Sequence, residues 1–146
     1  EQIAGLAKKG IPAEIVPGVS SLFGASAALR TQLTLKGVAD TLIITRPAGL
    51  TLDRDDLREL SRFAATMVIF LGIDRIADII SRVTYPPDTP VAVVYHASWQ
   101  DERIIRGTVA DIVDKVEGAG IEKSALIIIG WVLTPGASFA RSVLYS

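Results

Sequence analysis

Four short apolar runs constrain this chain more than any other feature: Thr41-Leu-Ile-Ile-Thr45, Thr66-Met-Val-Ile-Phe-Leu71, Val91-Ala-Val-Val-Tyr95 and Ala125-Leu-Ile-Ile-Ile129. They are rich in β-branched residues and show no polar alternation, so they predict strands covered on both faces. Helices must supply that cover, and the intervening sequence has the period for them. Ile76, Ile79, Ile80 and Val83 repeat at helical spacing within residues 74–83, and Val109, Ile112, Val113 and Val116 repeat in the same way. Thr108 with Asp111 predicts a capping box for the second of these helices, and Gly118 or Gly120 its end. Residues 53–63 carry Leu57, Leu60 and Phe63 on one stripe and predict a further helix. Residues 21–30 predict another, whose Gly24, Ala25, Ser26, Ala27 and Ala28 require something to pack closely against it. Residues 1–9 read as a helix stopped by Gly10, and residues 14–16 as a short strand.

One more strand is predicted at residues 103–106, paired with residues 91–95 through the polar turn around Gln100 and Asp101. Strands alternating with helices predict the α/β class, a three-layer sandwich whose sheet has about five strands. The hairpin makes that sheet mixed. Tyr85-Pro-Pro-Asp-Thr-Pro90 and Arg46-Pro-Ala-Gly-Leu-Thr51 are the clear loops.

Composition removes several function classes. Fifteen Lys and Arg against sixteen Asp and Glu leave a formal charge of −1, which argues against a nucleic-acid partner. The absence of cysteine excludes disulfides, thiolate nucleophiles and zinc–thiolate sites, and the single histidine, His96, excludes a multi-histidine metal centre. No apolar run approaches the roughly 20 residues of a membrane span, and Glu1 and Gln2 stand where a signal peptide would carry basic residues. A cytoplasmic protein with no membrane partner is expected.

Few side chains have the spacing of a catalytic group. Pro17-Gly-Val-Ser-Ser21 opens a helix, so Ser20 or Ser21 can cap it, and the exposed N–H groups there could receive a carboxylate; capping is favoured. No dinucleotide or triphosphate fingerprint is present. His96, at a strand end, is expected to be a structural hydrogen-bonder. A triad of Ser20 or Ser21 with His96 and Asp101 is rejected, because neither serine lies in a nucleophile elbow. Asp53, Asp55 and Asp56 sit at a helix start, where negative charge complements the dipole, and are read as structural. Arg46, just beyond a buried strand, is the better candidate for binding an anion.

Taken together, the segments carry a resemblance. Glu14-Ile-Val-Pro-Gly-Val-Ser-Ser21, Asp40-Thr-Leu-Ile-Ile-Thr-Arg-Pro-Ala-Gly49, Met67-Val-Ile-Phe-Leu-Gly72 and Ala92-Val-Val-Tyr-His-Ala-Ser-Trp99 resemble the tetrapyrrole methylase family. Arg106-Gly-Thr108 and Ala125-Leu-Ile-Ile-Ile-Gly130 continue the match in the family's order, so it runs from Glu1 to about Tyr145. The segments around residues 45–49 and 95–99 look most like the branch that methylates precorrin-4 at C11 in cobalamin synthesis. The resemblance implies two α/β domains with S-adenosylmethionine in the cleft between them. Neither the Gly-rich first-strand loop nor the Gly-Asp-Pro loop of the family's N-terminal domain occurs here. The chain is therefore expected to be a C-terminal domain. Residues 1–19 would be a linker helix and short strand following the missing N-terminal domain, and residues 20–146 the α/β domain, inactive or nearly so alone.

By the same resemblance, Ser20, Ser21, Leu71, Ala97 and Ser124 are the implied S-adenosylmethionine contacts. Arg46 is the implied contact to the carboxylates of a tetrapyrrole substrate, and a homodimer is the implied assembly. No catalytic base and no metal ligand is implied. Methyl transfer from a sulfonium is an in-line displacement that needs alignment and exclusion of water more than a nucleophile, which suits such a site. Trp131 departs from the family pattern, where an acidic or small residue is more usual. Two other readings stay open: a sibling methylase acting on another ring position or a diphthine-type side chain, and a binding or dimerisation module without catalysis.

Overall fold

All four apolar runs form strands in the computed structural model, which describes residues 1–49 and 52–134. They are β1 (Leu42–Thr45), β2 (Thr66–Ile69), β3 (Pro90–Tyr95) and β5 (Ala125–Ile129), and β4 (Arg103–Thr108) completes a five-stranded sheet of order β1-β2-β5-β3-β4. β1 and β2 are parallel, and every other pairing is antiparallel. The expected hairpin sets Tyr95 opposite Arg103 and Pro90 opposite Thr108.

The strand period of two divides the core in two. Met67, Ile69, Val91, Val93, Ile127 and Ile129 face one side, packed with Ile76 and Ile79 of α4 (Ile76–Arg82), Ile112 and Val116 of α5 (Ile112–Gly118) and Leu57 of α3 (Leu57–Ser61). Val68, Ala92, Val94, Leu126 and Ile128 face the other side, packed with Leu22, Ala25 and Leu29 of α2 (Ser21–Leu29) and with Val132 and Leu133. This is the three-layer α/β sandwich with a mixed sheet. The close packing expected on the small-residue helix is present at Ala25, which is fully buried, whereas Gly24 faces Ala97 with room for a methyl group at an ordinary contact of 3.5 Å. Between α4 and β3, the hydroxyl of buried Tyr85 donates to the Ala65 carbonyl at 2.6 Å, and burial pushes its pKa up to about 12.

Several expectations need correction. Residues 14–16 form no strand: Ile15 and Val16 are 73% and 83% exposed, without the pleated neighbour that a β-branched run needs. The first helix, α1 (Gln2–Ala7), likewise buries no side chain. The helix expected over residues 53–63 is only α3, and Phe63 is 74% exposed. Its first turn is diverted by Asp55, whose carboxylate accepts the N–H groups of Leu57 at 3.2 Å and Ala48 at 2.5 Å and pairs with Arg82. The capping box of α5 is half formed: the reach-back bond from Asp111 to the Thr108 N–H is present, but the hydroxyl bond to the helix is not. Asp111 is the N-cap and its carboxylate accepts the N–H of Thr108 at 2.7 Å, while the Thr108 hydroxyl donates to that same carboxylate instead of accepting from the helix. β2 stops at Ile69 and not at Leu71, because Leu71 has φ 54° and no strand runs through that conformation. Leu50 and Thr51 of the second loop, and the stretch of the resemblance beyond residue 134, lie outside the described residues.

Candidate functional site

Because β5 runs against β2 and β3, the carboxyl ends of β2 and β3 meet the start of β5 at one edge of the sheet. Ligands of open α/β sheets bind in the crevice outside strand ends of this kind. A cavity of about 620 Å³ opens there. Phe70, Leu71, Ile73 and Asp74 line it from the segment after β2, and His96, Ala97 and Trp99 from the segment after β3. Glu122, Lys123 and Ser124 line it from the turn before β5, and Ser21 from the first turn of α2. Val94 and Leu126 form part of its wall within the sheet.

The backbone around this cavity is unusual. Leu71, His96 and Ser124, at φ 54°, 48° and 56°, all line it, and Ser98 at φ 72° lies between two lining residues. Left-handed conformations are costly for residues with a Cβ, and they persist where surrounding structure over-determines them. Here the supports are visible. The His96 N–H donates to the Ser124 carbonyl at 3.1 Å, joining two of the left-handed turns directly. The Ser98 N–H donates to the Glu102 carboxylate at 2.7 Å, and the Trp99 N–H to the His96 carbonyl at 2.9 Å.

The ring of His96 is fixed as firmly as its backbone. Nδ1 lies 2.9 Å from both oxygens of Asp101, which requires that nitrogen to carry its hydrogen. The contact holds the Asp101 carboxyl below the usual carboxylate range. Tyr95 stacks on the imidazole at 3.8 Å, Trp99 leans on it at 4.6 Å, and the Arg103 guanidinium lies 4.8 Å from the Tyr95 ring centre. His96 is thus both the structural hydrogen-bonder that the sequence indicated and part of a cavity wall.

Four of the five residues implied as cofactor contacts, Ser21, Leu71, Ala97 and Ser124, converge on this one cavity from stretches far apart in sequence. Ser20 stands one residue outside the lining, where its side chain accepts the Leu22 N–H at 3.3 Å and caps α2. Arg46 lies elsewhere, in a cavity of about 440 Å³ that it shares with Thr45, Arg54, Asp55 and Leu60. Phe70 borders both cavities. Asp55 serves that second wall structurally: burial opposes its ionisation, but the Ala48 and Leu57 N–H groups and Arg82 outweigh burial and hold its carboxyl below the usual range. Sequence reasoning missed Phe70, Asp74 and Trp99. Trp99 had a signal in hand, since it closes the segment that follows a buried strand.

The larger cavity matches S-adenosylmethionine in chemistry. Its size falls within the 300–1,000 Å³ typical of small-molecule sites. Apolar Phe70, Leu71, Val94 and Ala97 suit an adenosyl group, while acidic Asp74 and Glu122 and basic Lys123 suit its hydroxyl, ammonium and carboxylate groups. Among the described residues no cluster of three His, Asp or Glu side chains is arranged to hold a metal ion, and no helix is long and apolar enough to cross a membrane.

Known proteins agree with this architecture. Residues 1–113 match the family model described as Tetrapyrrole (Corrin/Porphyrin) Methylases, and the chain belongs to that family. Within the family it is 52% identical over 150 residues to a cobalt-precorrin-4 C(11)-methyltransferase of Methanocaldococcus jannaschii, covering 99% of this chain and 58% of that protein. It is 43% identical to a precorrin-4 C(11)-methyltransferase of Pseudomonas aeruginosa, covering 99% of this chain and 59% of that protein. The X-ray structure of a cobalt precorrin-4 methyltransferase superposes with a TM-score of 0.85 at 38% identity, covering 92% of this chain and 58% of the other. A uroporphyrin-III C-methyltransferase of Thermus thermophilus, solved with S-adenosyl homocysteine, gives a TM-score of 0.73 at 26% identity over 90% of this chain and 58% of the other. The chain thus spans about three fifths of the length of these relatives.

Proposed function

We propose that this chain is the C-terminal part of an S-adenosylmethionine-dependent methyltransferase acting at C11 of precorrin-4 or its cobalt form, and that it supplies one wall of the donor site. The observation that carries the proposal is the convergence of Ser21, Leu71, Ala97 and Ser124 on a single cavity ringed by left-handed residues. The C11-methylating relatives, at 52% and 43% identity, support the ring position. A second domain completing the cleft, and a homodimer, belong to the same proposal.

When bound, the donor supplies a sulfonium methyl group for in-line displacement. Everything else asked of this chain is positioning. Ala97, with no side chain beyond Cβ, lets the backbone approach the ligand, and Gly24 of α2 lies behind it. Leu71 and Phe70 give an apolar wall that excludes water from the reacting groups. Arg46, which shares a cavity with Phe70, is the residue proposed to meet a carboxylate of the acceptor.

The test is an amide NMR titration of the chain with S-adenosylhomocysteine. With part of the site on another domain, affinity should be weak, on the order of millimolar or about −4 kcal/mol. The expected result is shifts at Leu71, Ala97 and Ser124, abolished by Ala97→Leu and untouched by Arg46→Ala. Shifts confined to other surfaces, or none at saturating ligand, would sink the reading. Arg46→Ala should instead weaken the binding of uroporphyrin, used as a polycarboxylate probe.

A further inference from the structure

One feature of the cavity is not used by the methyl-donor reading. Arg103, Tyr95, His96 and Trp99 form a continuous ladder of a guanidinium and three aromatic rings. The inner rungs have structural partners. Tyr95 lies between Arg103 and His96, and Asp101 anchors His96. The last rung has a partner on one side only. Trp99 leans on His96 yet remains 66% exposed, and it lines the cavity. A ladder that served only to rigidify the β3–β4 hairpin would be complete at His96. An indole backed by a fixed imidazole and left open to a ligand cavity is a preorganised stacking surface.

We propose that Trp99 is the stacking platform for the adenine ring of the methyl donor, with His96 and Asp101 as residues that position it. The proposal rests on the reading of this cavity as the donor site and adds the residue that holds the base. Adenine fits better than the tetrapyrrole macrocycle for two reasons. The cavity, at about 620 Å³, is of nucleoside scale, and its lining sets two carboxylates, Asp74 and Glu122, against one basic side chain, Lys123, whereas the cavity at Arg46 balances two arginines against two aspartates. Stacking of a base on an aromatic side chain is tolerant of exact geometry and is worth enough to matter in a half-built site.

Indole fluorescence reads this contact directly, because stacking on adenine quenches it. Trp131 lies outside the cavity lining, so Trp131→Phe leaves Trp99 as the single reporter in the chain. In that background adenosine and S-adenosylhomocysteine should quench the emission saturably, in step with the amide shifts of Leu71, Ala97 and Ser124. Trp99→Ala should weaken adenosine binding about tenfold, the scale of one base–aromatic stack, and Trp99→Phe should restore it to within about threefold. Because Trp99 is exposed, neither variant should move the melting temperature by more than about a degree or two. Amide shifts at the cavity without quenching, or equal affinity in Trp99→Ala, would overturn the platform and leave the donor site standing. Quenching by uroporphyrin but not by adenosine would also overturn it, assigning the indole to the acceptor. Absence of any response at Leu71, Ala97 and Ser124 removes the donor-site reading and this inference with it.

Discussion

Val91, Ala92, Val93 and Val94 are each 1% exposed or less and alternate between the two cores, whereas His96 and Ser98, within four residues of them, sit at φ 48° and 72°. The same contrast recurs after β2, where buried Val68 and Ile69 give way to Leu71, 72% exposed and left-handed. In the three central strands, packing on both faces and pairing on both edges determine nearly every side chain, and only Val94, Ala125 and Leu126 at the strand ends reach the cavity. In the loops the backbone carries strain, the side chains face a cavity, and the rigid sheet beneath holds the arrangement. Substitutions should therefore separate: those in the sheet act on stability, and those in the loops act on binding.

The largest expected effect lies in the sheet. Ile128, fully buried on β5 between Val68 and Ala92, should cost about 3–4 kcal/mol when replaced by alanine, measured by urea unfolding. The amide positions of Leu71, Ala97 and Ser124 should stay put in the folded fraction. If Ile128→Ala instead altered ligand binding more than stability, the separation would fail.

Asp55 sharpens the comparison, since it is a loop residue that behaves like an interior one. Its side chain is 1% exposed and ties Ala48, Leu57 and Arg82 together. Asp55→Ala should cost about 2–3 kcal/mol, because it leaves the Ala48 and Leu57 N–H groups without an acceptor, while Arg82 keeps its pair with Asp78. The pH dependence follows from its lowered native pKa. A carboxyl depressed on folding contributes its full stability above the ordinary carboxylate range, and that stability is lost as pH falls through the native value. Denaturation midpoints of the native protein and Asp55→Ala should accordingly converge on acidification and differ by a constant amount above about pH 5.

The smallest effect has the opposite sign. Ser124 holds φ 56° where glycine would bear no Cβ penalty, and its backbone carbonyl, not its side chain, accepts the His96 N–H. Ser124→Gly should therefore raise stability by about 0.5–1 kcal/mol. A loss of that size would show that the turn carries no strain, and the contrast between sheet and loops would lose one of its supports.

The regular part of this molecule was legible because its physics is local. A β-branched run with no polar alternation is a strand buried on both faces, and all four such runs became strands. Residues 14–16 failed because strand preference needs a neighbouring strand, which periodicity within the run cannot report. Residues 53–56 failed because an aspartate read as complementing a helix start turned its carboxylate to Ala48, nine residues before the helix at Leu57. The candidate site was legible only through the resemblance. Ser21, Leu71, Ala97 and Ser124 share no spacing, and only the insertion of β5 between β2 and β3 brings their loops together. The left-handed turns gave no warning either, because leucine, histidine and serine occupy them in place of the glycine or asparagine that usually marks such positions.

The position of β5 also bears on how the chain is made. β2 and β3 do not pair with each other; each pairs with β5, the last of the described strands to leave the ribosome. Until it emerges, the nascent chain holds a parallel β1–β2 pair and a β3–β4 hairpin as two separate pieces, each with an open edge. Those edges, Thr66–Ile69 and Pro90–Tyr95, carry no charge, whereas β4, an outer strand of the finished sheet, is guarded by Arg103 and Arg106. Charged edge residues protect sheets against pairing with other chains. Here that protection lies on one mature edge, β4, and neither on the other, β1 (Leu42–Thr45), nor on the transient ones, so synthesis has a window of added exposure that closes when the final strand slots in.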